Sequence, residues 1–194
     1  MLNKYKIQYN DKKKPGDQID IIYMLDDITI KDKTTITHID DNLLYTCGHC
    51  FADNARTIYG DLIKTSGFDT DDESLEEAII KIHPKYSDLF ISDHSLLNDI
   101  VSVNKDVYMI HNRNRSNGKI LYLIESEDDI NKLNIKYPIT KLQFPYYLIK
   151  SNTITKGGYS GSPWFYNDKL FGQHIGKIQL DDTHLLVVKP FIKN

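Results

Sequence analysis

The chain has 194 residues, 40% of them hydrophobic and 11% aromatic, which is enough apolar surface for one packed domain or two small lobes. Its formal net charge of −3 lacks the basic excess of a phosphate-binding surface, and no apolar run is long enough for a transmembrane helix. We therefore expect neither nucleic acid nor a membrane as a partner.

Short apolar runs separated by turn residues dominate the first half of the chain, and this pattern predicts β-strands. The expected strands are residues 5–8, 19–24, 34–38, 43–46, 57–63, 78–83 and 100–103. Residues 66–77 are polar and acidic and predict a surface loop. Because the first 18 residues lack the apolar core of a secretory signal, an intracellular, cytoplasmic location is expected.

The second half continues the same pattern after a predicted crossover at residues 104–117, within which 107–110 form a short strand. Six further strands are expected at residues 118–124, 135–142, 146–150, 162–166, 169–177 and 184–189. Residues 125–133 begin with acidic side chains and continue with spaced apolar ones, which favours a short helix. The predicted fold class is all-β.

The stretch from Thr155 to Phe165, TKGGYSGSPWF, places Ser160 in a glycine-rich loop directly before an apolar run. Glycine allows positive φ angles and close approach of a substrate. Such a turn can direct successive N–H groups at one point, as an oxyanion hole requires. An ordinary surface turn is the competing interpretation for this segment alone.

A histidine in a matching context, His49, lies far upstream in the segment LLYTCGHC. The pattern Thr-x-x-His-Cys after an apolar strand, followed later by Gly-x-Ser-Gly-x-Pro, resembles the chymotrypsin-like serine proteases. The resemblance implies two six-stranded antiparallel β-barrels with the active site in the cleft between them. Residues 1–110 would carry the histidine and the aspartate. Residues 111–194 would carry Ser160, the oxyanion hole and the specificity pocket.

The resemblance also implies the third member of a Ser-His-Asp triad. In that family the acid begins the last strand of the first barrel, and Asn-Asp-Ile-Val at 98–101 fits this pattern, so Asp99 is the expected acid. A His-Pro-Lys-Tyr segment at 83–86 resembles the end of the preceding strand. Asp88 and Asp93 are the alternatives, although each is followed by a residue that fits less well.

The implied activity is that of a serine endopeptidase, which hydrolyses a polypeptide through an acyl-enzyme without metal or organic cofactor. His49 would act as general base toward Ser160 and then as general acid toward the leaving amine. The backbone N–H groups of Gly158 and Ser160 would form the oxyanion hole.

A further similarity concerns specificity. The strand LFGQHIG resembles the pocket wall of glutamyl endopeptidases and of viral chymotrypsin-like processing proteases, in which a histidine meets the substrate side chain. His174 stands at that position, and Thr155 lies five residues before the serine. Ile154 occupies the place of the acid in a trypsin-like pocket. Cleavage after Glu or Gln is expected, and a viral enzyme would act in the host cytoplasm or the virion.

Two cysteines flank His49, and the tetrapeptide Cys47-Gly-His-Cys50 is also found in protein disulfide isomerases. A thiol–disulfide oxidoreductase is therefore an alternative function, although the alternation of strands and helices typical of that fold is missing. A zinc site from Cys47, His49 and Cys50 would need a fourth ligand. A catalytically inactive protease fold that serves as a binding module is the remaining alternative. With no cysteine at the family's earlier disulfide position, a reducing compartment is expected.

Overall fold

Twelve strands, one short α-helix and one 3₁₀ helix make up the regular structure of the residues that a computed structural model describes, which are 12–40, 42–47, 55–66, 77–92, 94–135, 144–153, 155 and 159–191. The strands are β1 Gln18–Leu25, β2 Ile28–Thr35, β3 Thr37–Asp40, β4 Leu43–Thr46, β5 Gly60–Ser66, β6 Glu77–Ile82, β7 Asp106–His111, β8 Asn114–Ile124, β9 Tyr146–Ser151, β10 Pro163–Tyr166, β11 Lys169–Leu180 and β12 Thr183–Pro190. The 3₁₀ helix is Pro84–Leu89 and helix α1 is Glu127–Leu133.

The six strands of the C-terminal half close into one antiparallel barrel, in the order β10-β11-β12-β9-β8-β7. Closure leaves none of these strands as a sheet edge. Large side chains fill the interior, including Met109, Tyr147, Ile149, Trp164 and Phe171, each at most 1% exposed. This barrel confirms the second of the two barrels that the sequence predicts.

The six strands of the N-terminal half form two sheets in the described residues, a four-stranded sheet in the order β3-β4-β6-β5 and a β1-β2 ribbon. One apolar cluster joins both sheets, and its members include Ile19, Ile21, Ile36, Leu44, Ala78, Ile80, Ile82 and Phe90. Strands β1, β4 and β6 contribute to this cluster, so the two sheets share a core and form a second lobe. The sequence predicts two six-stranded β-barrels, and the six strands of this half are divided between two sheets in the described residues. The predicted all-β fold class is confirmed.

A separate apolar cluster joins the two halves. Its buried members are Tyr45 and Ile79 from the N-terminal half and Tyr108, Phe165, Leu170 and Phe191 from the C-terminal half. The rings of Tyr45 and Phe191 meet edge to face with centroids 5.6 Å apart. The faces of β4 and β6 that carry Tyr45 and Ile79 thus pack against the C-terminal half.

Several hairpins have two-residue turns in which both central residues have positive φ. These pairs are Asp26-Asp27, Asn112-Arg113 and Asn167-Asp168, with φ between 47° and 65°. Turns of this kind match the right-handed twist of the strands they connect, and Asp and Asn tolerate the left-handed region better than most residues. They fix the register of β1-β2, β7-β8 and β10-β11.

Most predicted elements are confirmed to within four residues at each end. The confirmed strands are those predicted at 19–24, 43–46, 57–63, 78–83, 107–110, 118–124, 146–150, 162–166, 169–177 and 184–189. The predicted helix is also confirmed as α1, where the Ser126 hydroxyl caps the first turn by accepting the N–H of Asp129 at 3.4 Å.

The single strand predicted at 34–38 is wrong, because the chain turns away from the sheet at Ile36. The Ile36 N–H donates to the carbonyl of Asp17 and the Ile36 carbonyl accepts the N–H of Gly16. This separates β2 from β3. The first half of β2 was not predicted, because its side chains are charged or exposed and show no apolar alternation.

The strand predicted at 100–103 is also wrong. Only Val101 is buried there, while Ile100 and Val103 are 42% and 43% exposed. The crossover predicted at 104–117 is wrong as well, since these residues form β7 and the start of β8 within the barrel. Strand β7 contains residues 110 and 111, between which the sequence places the boundary of its two predicted barrels. The division of the chain into domains 1–110 and 111–194 stays a prediction. The strand predicted at 5–8, all but the first residue of the strand predicted at 135–142, and most of the predicted loop at 66–77 lie outside the described residues.

Candidate active site

The loop that carries Ser160 is held tightly to strand β11. Gly161 donates its N–H to the carbonyl of His174 at 2.8 Å, and His174 donates its own N–H to the carbonyl of Ser162 at 2.7 Å. The half-buried Ser160 directs its hydroxyl to the carbonyl of Ile175 at 3.4 Å. The position of the serine is therefore fixed by two short backbone hydrogen bonds rather than by its own side chain.

The same loop packs against the N-terminal lobe at Gly161, where φ is +93°. A Cβ atom at this position would lie 2.2 Å from the carbonyl oxygen of Thr35 and 2.7 Å from Oγ1 of Thr46. Only glycine combines this φ with so close a contact. The threonines are fully buried, and Thr46 donates its hydroxyl to the Thr35 carbonyl at 2.7 Å. Ser160 thus lies where the two lobes meet.

Strand β4 directs the chain toward this meeting point. It ends at Thr46, the residue that contacts Gly161, and His49 follows three residues later in the sequence. His49 and Gly158 lie outside the described residues. The predicted roles of His49 as general base and of Gly158 in the oxyanion hole stay predictions.

Asp99, the predicted acid, is exposed and lies against the C-terminal barrel. Its Oδ1 accepts the N–H of Ile100 at 2.8 Å, and Val101 donates its N–H to the hydroxyl of Tyr147 at 2.8 Å. Burial, with a smaller contribution from the charge of Asp99, raises the pKa of Tyr147 to about 12. Asp99 does not begin a strand of the first lobe, which was the reason for choosing it. Asp88 is exposed in the 3₁₀ helix, and Asp93 lies outside the described residues.

Sequence reasoning missed another carboxylate, Glu77, which is half-buried at the start of β6. Strands β4 and β6 are antiparallel, and Thr46 is paired with Ala78, the second residue of β6. The chain before Ala78 and the chain after Thr46 therefore lie at the same end of the sheet. Glu76 precedes Glu77 in the sequence and lies outside the described residues. The sequence did not single out Glu77, because it is part of the acidic segment 66–77 that predicts a solvated surface loop.

A buried histidine, His111, supports the serine loop from behind. Its ring stacks on the ring of Tyr159 with centroids 3.8 Å apart. Its Nδ1 lies 3.2 Å from Oγ of Ser162 and 3.3 Å from Oγ1 of Thr35. Because Ser162 uses its only hydroxyl proton toward the Tyr159 carbonyl at 2.5 Å, Nδ1 of His111 is the donor in the contact with Ser162.

Burial lowers the pKa of His111, so the ring is neutral at pH 7. The unfolded chain, with an ordinary histidine pKa of about 6.5, binds this proton more readily. The contribution to stability is therefore present above about pH 6.5 and is lost as the pH falls through the lower pKa of the folded state. Between pH 7.5 and 5.5 we expect a larger loss of unfolding free energy for the wild type than for His111→Asn. Urea unfolding followed by Trp164 fluorescence measures this, and equal losses would contradict it.

Both residues predicted to form the specificity pocket are buried. Thr155 is 5% exposed and lines a cavity of about 370 Å³, together with Lys177 and His184. His174 is 2% exposed, and its backbone hydrogen-bonds to the serine loop. The described residues that line the cavity do not include His174. The predicted pocket roles of Thr155 and His174 stay predictions.

Of the two cysteines in the alternative sites, Cys47 belongs to the described residues, and it is fully buried directly after β4. No group of three His, Cys, Asp or Glu side chains that could hold a metal ion occurs in the described part of the chain, but His49 and Cys50 lie outside it. No helix among the described residues is long and apolar enough to cross a membrane.

Comparisons with known proteins give matches in structure only, since no protein-family model and no curated protein matches the sequence. An inactivated protease paralogue of the scabies mite aligns with a TM-score of 0.59, 10% identity, and coverage of 89% of this chain and 88% of that one. The active form of the Rv3671c protease of M. tuberculosis aligns with a TM-score of 0.59 and 14% identity, over 97% of this chain and 80% of that one. Neuropsin, a serine protease expressed in mouse brain, aligns with a TM-score of 0.57 and 14% identity, over 92% of this chain and 90% of that one.

These alignments cover nearly all of each chain and include both lobes. The protein therefore has the chymotrypsin-like fold. Identities of 10–14% establish the fold alone, and the proteins matched include active and inactivated forms. Activity has to be argued from the residues of the site.

Proposed function

We propose that the chain is a serine endopeptidase with Ser160 as nucleophile and His49 as general base. The observation that carries the proposal is the position of the Ser160 loop. It is fixed to β11 by backbone hydrogen bonds and packed against Thr35 and Thr46, next to the strand that leads to His49. An ordinary surface turn does not need the close contact that Gly161 makes with a second lobe.

In the proposed reaction, Ser160 Oγ attacks the carbonyl carbon of a peptide bond as His49 takes the hydroxyl proton. The N–H groups of Gly158 and Ser160 stabilise the oxyanion, each contributing about 3–4 kcal/mol to the transition state. His49 then protonates the leaving amine, the C–N bond breaks, and an acyl-Ser160 ester remains. Water, deprotonated by His49, hydrolyses the ester and restores the serine. No metal or organic cofactor enters this sequence.

The resting hydroxyl is compatible with this reaction. Its contact with the Ile175 carbonyl is 3.4 Å long, so this hydrogen bond is weak and is easily exchanged for one to a base. Polypeptides cleaved after Glu or Gln remain the proposed substrates, with Thr155 and His174 as the residues that the sequence assigns to the pocket.

For the third member of the triad, Asp99 is the residue that the sequence proposes, and Glu77 with Glu76 is the competing pair. Asp99 has the family-like sequence context but is exposed. Glu77 begins a strand paired with β4. Substitution at each position separates these possibilities.

An inactive binding module is the second candidate, because one of the matched structures is an inactivated protease paralogue. A fluorophosphonate probe, which esterifies only an activated serine, distinguishes the two functions. We expect covalent labelling of the wild-type protein, detected by intact mass, and no labelling of Ser160→Ala. Ser162→Ala serves as a matched control in the same loop and should still be labelled.

Two results would count against the hydrolase. Wild-type protein that stays unlabelled would favour the binding module. Labelling that persists in Ser160→Ala would identify a different serine as the nucleophile.

A further inference from the structure

The cavity beside Thr155 has a chemistry that the sequence did not predict. It is bounded by the end of β9, the middle of β11 and the start of β12, and it holds about 370 Å³. Its charged lining residues are Lys150, Lys177 and Asp182, so positive charge is in excess. His184 adds ring nitrogens to the same wall.

Lys177 is the basic group that is fixed in place. Its Nζ donates to the carbonyl of Thr155 at 3.3 Å, which leaves two of its three N–H donors available. Lys177 is paired with Leu186 across β11 and β12, and paired residues point to the same face of a sheet. Leu186 is 4% exposed in the barrel core, whereas Lys177 is itself exposed, so the Lys177 side chain lies at the border of that core and lines the cavity.

The cavity lies within reach of the reacting serine. The Ser160 hydroxyl contacts the carbonyl of Ile175, and Lys177 is two residues farther along the same strand. Two residues of a strand span about 7 Å. A substrate side chain next to the bond under attack would therefore have its end group beside Lys177.

We infer that this cavity binds an acidic substrate side chain, and that Lys177, supported by Thr155, discriminates a carboxylate from an amide. The inference rests on the proposed endopeptidase function and narrows its specificity from Glu or Gln to Glu and Asp. It assigns the charge recognition to a lysine in the cavity instead of to the buried His174. Lys150 supplies a second positive charge at the cavity wall, which favours an anion further.

The test compares two peptides that differ only in having Glu or Gln before the scissile bond. The wild-type kcat/KM should be higher for the Glu peptide, and Lys177→Met should reduce this ratio by about 10- to 100-fold, the range for a hydrogen bond to a charged group. Methionine keeps the aliphatic stem at this exposed position, and circular dichroism checks that the variant is folded. Lys169→Met, at the opposite end of β11, is the matched control and should keep the wild-type ratio.

A Lys177→Met enzyme with the wild-type ratio would overturn the inference. The same holds if His174→Asn removes the preference for Glu while Lys177→Met leaves it intact. In either case turnover continues, so the proposed function survives.

A binding measurement tests the cavity in the opposite case, in which the proposed hydrolase activity is absent. Ser160→Ala protein, with and without Lys177→Met, is titrated with N-acetyl-Ala-Ala-Glu and N-acetyl-Ala-Ala-Gln in a calorimeter. Tighter binding of the Glu peptide that disappears with Lys177→Met supports the cavity even if the wild type never turns over a substrate. Equal binding of the two peptides overturns it.

Discussion

Replacing Glu76 and Glu77 together by glutamine should lower kcat on a peptide substrate by about 10⁴-fold, while Asp99→Asn should lower it by less than about 10-fold. The larger figure is the typical effect of an amide in place of the triad acid, because an amide stabilises the wrong tautomer of the catalytic histidine. The smaller one is expected because Asp99 is exposed and already accepts the N–H of Ile100.

The reason for expecting the larger effect at Glu76 and Glu77 is the pairing of β4 with β6. Thr46 and Ala78 are opposite each other, so Glu77, directly before Ala78, is at the end of the sheet where β4 ends, and His49 follows three residues after Thr46 in the sequence. A buried or half-buried carboxylate there can orient an imidazole and stabilise the imidazolium that forms during attack. Asp99 instead lies beside Val101, which is anchored to Tyr147 of the barrel.

Steady-state kinetics on one peptide, with the single variants Glu76→Gln and Glu77→Gln, assign the acid. The pH profile of kcat/KM adds a signature of the histidine, since loss of its acid lowers the pKa of the base. If Asp99→Asn causes the 10⁴-fold loss and the double glutamine variant does not, the sequence-based assignment is right and the argument from strand pairing is wrong.

Gly161→Ala should destabilise the protein by about 2–4 kcal/mol and should lower the rate of fluorophosphonate labelling by more than the loss of folded protein explains. The added methyl group would lie 2.2 Å from the Thr35 carbonyl oxygen, and the φ of +93° is unfavourable for alanine. Overpacking of this kind typically costs about 1–3 kcal/mol, and the backbone strain adds about 1 kcal/mol or more. Since the nearest atom belongs to the backbone, trimming Thr46 does not relieve the clash.

Gly176→Ala provides the matched comparison for stability. A Cβ atom there meets nothing within 4 Å in the described residues, so the unfolding free energy should change by less than about 1 kcal/mol. Urea denaturation of both variants measures the difference. A Gly161→Ala protein as stable as Gly176→Ala would show that the serine loop is not wedged between the lobes.

The sequence predicted the barrel and the serine loop well because both have strong local signals. Strands β9 to β12 are apolar runs bounded by turn residues, and the Gly-rich loop precedes one of them. Such elements depend on neighbours close in the chain, which periodicity and turn chemistry capture.

The missed features depend on contacts between residues far apart in the chain. The segment around Ile100 has an apolar sequence, but it is held to the barrel by long-range contacts: Val101 is buried in the barrel core and donates its N–H to Tyr147, which is 46 residues away. The role of Glu77 follows from strand pairing with β4, and that of Lys177 from closure of a barrel. Contacts of this kind leave no periodic pattern in the sequence, so the sequence alone does not predict them.

The contact of Gly161 with Thr35 and Thr46 also links the proposed catalytic serine to the docking of the two lobes. Each lobe has its own hydrophobic cluster, yet the proposed nucleophile belongs to one lobe and the strand leading to the proposed base belongs to the other. Under the proposed function, turnover therefore reports correct assembly of both halves. A molecule that parts the lobes, instead of filling the pocket, would then inhibit from outside the substrate site.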